Sequence, residues 1–342
     1  MPDTLQKVRA ADLIAANLVV DFTVPATPLE GYLGGRRGLF HLLDQYRDAG
    51  VGWISLTAGL DHYPSIDFTV RQIAALRAML ADGKDRYMLA ASSTEVSQAG
   101  REGRLAVSLA FQGTAMLMGD LAMVEAYRTL GVTVMLLAYN DRNPAADGCM
   151  EPENAGLSKF GRRLVEAMNK ARVLVDLTHT GERSALEAAE ASAAPVVYSH
   201  SNPSALLPHP RNISDAQIVS CAATGGVIGI NGVGMFLTEG GDEVTAELLF
   251  RQVDHIADKA GIRHVGLGLD YVDTSISDIL HRIVETSGDR YDSNYQRPAF
   301  AFASPQIIVE LVECMLVAGY SHDDIGLVLG GNFSRVYTDV VG

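Results

Sequence analysis

The chain has 342 residues, 48% hydrophobic and 20% charged, which is enough apolar material for one large core. A net charge of −14 with no clustered Lys/Arg stretch excludes a nucleic-acid backbone as partner, because phosphate contacts need a basic patch. The three cysteines, Cys149, Cys221 and Cys314, lack CxxC spacing, so neither a disulfide scaffold nor a cysteine zinc site is expected and a reducing cytoplasm is the default compartment.

At the start, Asp3, Lys7, Arg9 and Asp12 interrupt any apolar run, which predicts no secretory leader. No stretch of ~18 uncharged apolar residues follows, and no hydrophobic tail closes the chain, so neither a membrane span nor a lipid anchor is expected. Short runs rich in Val, Ile and Leu then recur at 18–24, 52–57, 87–91, 105–111, 132–138, 173–178, 195–199, 227–230 and 264–269. Runs of this kind suit strands of a parallel sheet buried on both faces. Amphipathic stretches such as 161–171 and 182–191 lie between them and read as helices. Ser214-Asp215-Ala216-Gln217 forms a capping box whose helix ends at Gly225-Gly226, and a further helix runs from Ser321 to a stop at Gly330-Gly331. With about eight alternating units and no GxGxxG or P-loop motif, the fold class expected is α/β, a single (β/α)8 TIM barrel over 1–342. Residues 273–304, polar and carrying Tyr291, Tyr295 and Arg297, break the rhythm. An insertion there is a candidate active-site lid, and equally a surface loop or an oligomer contact.

Active sites of such barrels form at the C-terminal ends of the strands. Run 173–178 is followed by His179, run 195–199 by His200 and run 264–269 by Asp270. A lone histidine there would be structural more often than not. Two histidines and a carboxylate at corresponding strand ends can instead converge on one metal ion.

Several longer stretches then fit one family in order. VDLTHTGERSALEAAEASAAPVVYSHSNPSALLPHPRNISDAQIVSCAATGGVIGIN, DHIADKAGIRHVGLGLD and GYSHDDIGLVLGGNFSRV resemble the renal (membrane) dipeptidases, as do YRTLGVTVMLLAYNDRNPAADG and GLSKFGRRLVEAMNK upstream. The resemblance implies a barrel of the metal-dependent hydrolase type with two zinc ions in its mouth. It implies that His179 and His200 are metal ligands, that Arg211 contacts substrate and that Asp270 serves in acid–base work. The sequence also departs from the family pattern. Where a DGHND motif should end the first strand, the chain reads Asp21-Phe22-Thr23-Val24-Pro25, so Thr23 and Pro25 replace a His-x-Asp ligand pair. Gln112 stands for the bridging glutamate, and Tyr139, before Asn140, for a substrate histidine. Proline offers no donor atom, and hydroxyl or amide oxygens are poor zinc ligands beside imidazole and carboxylate. The expected cofactor is therefore at most one Zn2+ or other divalent ion on His179, His200 and Asp270, or none.

Three readings stay open. The first is a hydrolase of an amide- or peptide-like small molecule, with Asp270 and Tyr139 catalytic and Arg211, Gln112, Thr23, Phe22 and Asn140 lining the substrate pocket. In it Tyr139 donates to the developing oxyanion, and simple dipeptides are poor substrates because the paired ions are missing. The second is a metal-free lyase, isomerase or other acid–base enzyme in the same pocket, and the third an inactive binding homologue. The expected partners are a small-molecule substrate and, if the chain associates, a second copy in a homodimer. His209 and His255 read as structural, and His41, His62, His264, His281 and His322 as surface, capping or core residues. Trp53 and Met116–Met118 read as packing, and Asp21 as a buried carboxylate at or behind the site.

Overall fold

A computed structural model describes residues 4–25, 35–273 and 301–342. Most of the insertion expected at 273–304 lies outside the described residues. The nine apolar runs form nine strands: β1 (Val19–Val24), β2 (Val51–Leu60), β3 (Tyr87–Leu89), β4 (Leu105–Gln112), β5 (Val132–Leu136), β6 (Leu174–Asp176), β7 (Val196–Tyr198), β8 (Val227–Ile230) and β9 (Val265–Leu267). All pair in parallel. Eight follow one path, β1-β2-β4-β5-β6-β7-β8-β9, while β3 lies off it against the first half of β4. The result is a nearly closed (β/α)8 barrel wrapped by helices. Among the described residues, no helix is long and apolar enough to cross a membrane.

The strands of that path are buried on both faces, which is why their sequences are apolar without alternation, while β3 is only partly covered. Val20, Phe22, Trp53, Ala106, Val134, Leu174, Val197 and Val227 form an interior cluster. Their neighbours Val19, Ile54, Val107, Met135, Val175, Val196, Ile228 and Val265 belong to the larger core shared with the helices. The last helix, Asn332–Val340, sends Phe333, Val336 and Tyr337 into the interior cluster. Tyr337 reaches Thr133 at the start of β5 (3.1 Å), so this helix closes the N-terminal end of the barrel. The C-terminal mouth is left for chemistry.

The capping box at Ser214 is present, with Ser214 Oγ accepting from Gln217 N and Gln217 Oε1 from Ser214 N. The expected stop at Gly330-Gly331 is not. After Ser321 caps the helix His322–Gly326, the chain passes through a π-turn at Leu327–Gly331 and runs on into the last helix. A Cβ at Gly330 would lie 2.1 Å from Leu18 O. The glycine is there so that helix and first strand can touch, and it terminates nothing.

The barrel closes between β1 and β9 without a strand ladder. Asp21, fully buried in β1, accepts from Leu269 N (2.9 Å) just past β9 and from Thr23 N (3.2 Å). Burial pushes its carboxyl up from 3.8 to about 7, against the pull of those two hydrogen bonds. Because the proton is held more tightly in the folded chain, its contribution to stability is complete below pH ~4 and is lost as pH rises through about 7. Asp21→Asn keeps an acceptor oxygen for both amides, so its unfolding free energy should fall less steeply than the parent's between those pH values. Urea denaturation curves of the two proteins at pH 4.5 and 7.5 check this; equal pH dependences would remove Asp21 as the cause.

Candidate functional site

The barrel topology carries five chemistry-bearing side chains to one mouth. Tyr139 and Asn140 follow β5, His179 follows β6, His200 follows β7 and Asp270 follows β9. Asn140 (φ 59°), His179 (φ 62°) and Asp270 (φ 56°) are left-handed, and the described residues contain only two other such non-glycine positions. That conformation costs an L-residue of order 1–3 kcal/mol and gathers where side chains must be aimed.

His179 and His200 are buried, and their Nε2 atoms stand 3.0 Å apart. Behind the first ring, Asn140 Oδ1 lies 2.6 Å from Nδ1. Behind the second, Ser199 Oγ (2.7 Å) and Thr23 Oγ1 (2.9 Å) flank Nδ1. Burial, then the nearby positive charge of Arg211, holds both imidazoles well below the usual histidine range, so both are neutral. Tyr139 stacks its ring on His179 at 4.0 Å between centroids. Thr23, expected as a pocket wall, therefore stands behind a histidine.

Asp270 Oδ2 lies 4.0 Å from His200 Nε2, with 17% of the side chain exposed. Burial pushes its carboxyl up to about 7, against Arg211 and a hydrogen bond from Asn231 Nδ2 (3.3 Å). Asn231 is itself pinned, its backbone amide on Asn202 Oδ1 (2.9 Å) and its own Oδ1 accepting from Val233 N (2.7 Å).

Arg211 is 2% exposed and donates Nη2 to His200 O (2.8 Å), with Phe236 5.3 Å away under its guanidinium. Its Nε has no hydrogen-bond partner. No carboxylate of the described residues forms an ion pair with it. A buried cation in that condition is costly unless an anion arrives. A cavity of about 270 Å³ opens beside Arg211 and His179, bounded also by Cys149, Glu182 and Ile213.

One further expectation needs correction. Phe22 does not face the pocket: its ring stacks on Phe333 at 4.1 Å and meets Trp53 edge-on at 5.4 Å inside the barrel. An aromatic ring surrounded by two others there is worth more as packing than as a wall. Gln112, at the end of β4, donates its amide nitrogen to Thr57 Oγ1 (3.1 Å). Sequence reasoning also missed Asp61. It accepts from Ala115 N (2.7 Å), Asn143 Nδ2 (2.8 Å) and Tyr139 N (3.1 Å), so it holds the segment that presents Tyr139. Burial nonetheless raises its carboxyl above the usual range. The one available signal was Gly113 (φ +125°), where a Cβ would fall 2.0 Å from Asp61 Cγ. His62, taken as a bland residue, lies 5.2 Å from the Tyr139 ring.

The sequence profile of the membrane dipeptidases (peptidase family M19) matches residues 34–281. The chain belongs to the membrane dipeptidase family. Its sequence is 27% identical to Dipeptidase tcpJ of Claviceps purpurea over 281 residues, 82% of this chain and 61% of that protein. It is 30% identical to Dipeptidase verJ of Clonostachys rogersoniana over 244 residues, 67% of this chain and 62% of that one. The matched part thus spans about three-fifths of these relatives' length. Among solved structures, an amidohydrolase from Pseudomonas aeruginosa superposes with a TM-score of 0.87 at 26% identity, covering 97% of this chain and 99% of that one. A metallo peptidase from Rhodobacter sphaeroides, liganded with a phosphinate mimic of L-Ala-D-Ala, shares the fold with a TM-score of 0.76 at 19% identity, over 95% and 99% of the two chains.

Membrane dipeptidases are metallopeptidases. Two imidazole nitrogens already converge, and Asp270 stands a short step behind them. No ready-made cage of three His, Cys, Asp or Glu side chains is gathered among the described residues. At the positions where the family pattern has first-strand and bridging ligands, Thr23 and Gln112 are turned to protein partners. Pro25 has no donor atom to offer.

Proposed function

We propose that this membrane dipeptidase relative hydrolyses an amide bond in a small molecule bearing a free carboxylate, using one divalent ion held by His179, His200 and Asp270. The observation that carries this reading is Arg211, a buried guanidinium that forms no ion pair among the described residues, bonded to His200 O and lining the open cavity with His179. A substrate carboxylate would supply the missing anion through charge-assisted hydrogen bonds. When bound, the ion supplies Lewis acidity to polarise the scissile carbonyl and acidify a water. Asp270 takes the proton of the attacking water as the C–O bond forms and hands it to the nitrogen as the C–N bond breaks. Tyr139 and Asn140, from the end of β5, hold His179 between a ring face and an amide oxygen.

One observation favours a metal-free acid–base enzyme instead: at 3.0 Å, one histidine could hydrogen-bond the other. Metal analysis and a matched pair of substrates separate the two. Protein purified without added metal should carry about one divalent ion per chain, and dipeptides should turn over slowly with kcat/KM at least tenfold above that of their C-terminal amides. Metal-free protein with full turnover would overturn the one-ion reading, and equal rates on acid and amide would overturn the role of Arg211.

A further inference from the structure

We propose that Thr23 is a positioning residue, whose hydroxyl oxygen accepts the Nδ1 proton of His200 and thereby aims the Nε2 lone pair of that ring at the space shared with His179 and Asp270; this rests on the one-ion reading above.

A threonine hydroxyl has one proton to give. Thr23 Oγ1 gives it to Phe22 O at 2.8 Å, which leaves lone pairs facing His200 Nδ1 at 2.9 Å. A bare Nδ1 there would set lone pair against lone pair, so Nδ1 carries the proton. Ser199 does not decide the matter: its Oγ lies 2.7 Å from the same nitrogen and 3.3 Å from Thr178 Oγ1, and its proton can go to either, so Thr23, whose proton is already given to Phe22 O, sets the tautomer. The opposite ring is fixed in the same sense. Asn140 Oδ1 lies 2.6 Å from His179 Nδ1 and takes the Cys149 thiol at 3.4 Å, and a carbonyl oxygen can only accept. With both protons on Nδ1, neither Nε2 carries one. Two lone pairs then face each other across 3.0 Å, a repulsion that a cation between them would relieve, and the spacing is near the ~3.3 Å that two imidazole nitrogens on one tetrahedral zinc would keep.

The bland alternative is a closed pair, with His200 Nε2–H donating to His179. That requires Nδ1 of His200 to be an acceptor, and Thr23 as placed opposes it. Residue 23, where the family pattern has a ligand, thus acts on the remaining site through a ligand. A histidine held in this way binds metal ~10–100-fold more tightly than one left free to choose its tautomer.

The test uses the full chain, stripped of metal, as parent, Thr23→Val and Thr23→Ser. Valine keeps the branched shape and loses the acceptor; serine keeps the acceptor. Equilibrium titration with cobalt(II) should give one ion per chain, 10–100-fold weaker in Thr23→Val and within threefold of the parent in Thr23→Ser, with melting temperatures confirming that both fold. Imidazole nitrogen NMR of the metal-free proteins should show His200 protonated on Nδ1 in the parent and in Thr23→Ser, and on Nε2 or mixed in Thr23→Val. Cobalt binding by Thr23→Val as tight as the parent's overturns the proposal. A parent His200 protonated on Nε2 overturns it without any variant. A parent that binds no cobalt but shows the Thr23-dependent tautomer overturns the one-ion reading and leaves this proposal standing.

Discussion

Asp270→Asn lowers turnover by ~10²–10⁴-fold on any substrate the parent hydrolyses, the range a positioned general base typically supplies. The change is nearly isosteric and leaves an oxygen for Asn231 Nδ2, so the barrel and the histidine pair should be undisturbed. Two functions are lost together: an amide cannot hold the proton in transit from water to leaving nitrogen, and it is a poorer ligand than a carboxylate for the ion. Steady-state rates on the carboxylate-bearing amides, with thermal melts alongside, measure it. A variant that melts like the parent and keeps near-full kcat would remove Asp270 from the chemistry.

His179→Ala has the second large effect, and its signature is paired. Bound metal should fall from about one ion per chain toward none, and turnover should fall with it, because one of two converging nitrogens is gone. The loss of the ring also takes away the surface on which Tyr139 is stacked and the partner of Asn140 Oδ1. Metal analysis after gel filtration, set beside kcat, reads the outcome. A fall in turnover with metal content unchanged would place the ion elsewhere and make His179 an acid–base group.

The strands were legible because parallel barrel strands are buried on both faces, so each of the nine apolar runs marks one. The positions of His179, His200 and Asp270 followed from the same fact, since a strand end is visible where an apolar run stops at a polar residue. Relations between distant residues were not legible. Phe22 reads as a mouth residue by its neighbours in sequence, yet its surroundings come from residues 53 and 333. Nothing near Asp61 in the sequence marks its role, because the amides that bind its carboxylate belong to residues 115 and 139. Gly330-Gly331 looked like a terminator, because only the packed barrel shows how near Leu18 comes. Thr23 was legible as a lost ligand and illegible as a partner of His200, 177 residues away.

The seam at Asp21 separates two properties of the first strand. One carboxylate in its middle joins it to the end of the last, while the residues that differ from the family pattern, Thr23 and Pro25, lie beyond that clasp toward the mouth. Closure of the barrel therefore does not depend on what the strand's final residues are. The outer end of β1 can exchange one set of side chains for another without loosening the architecture beneath it. A lineage can thus lose a ligand there and keep its fold, and the same two positions are where a ligand could be engineered back in.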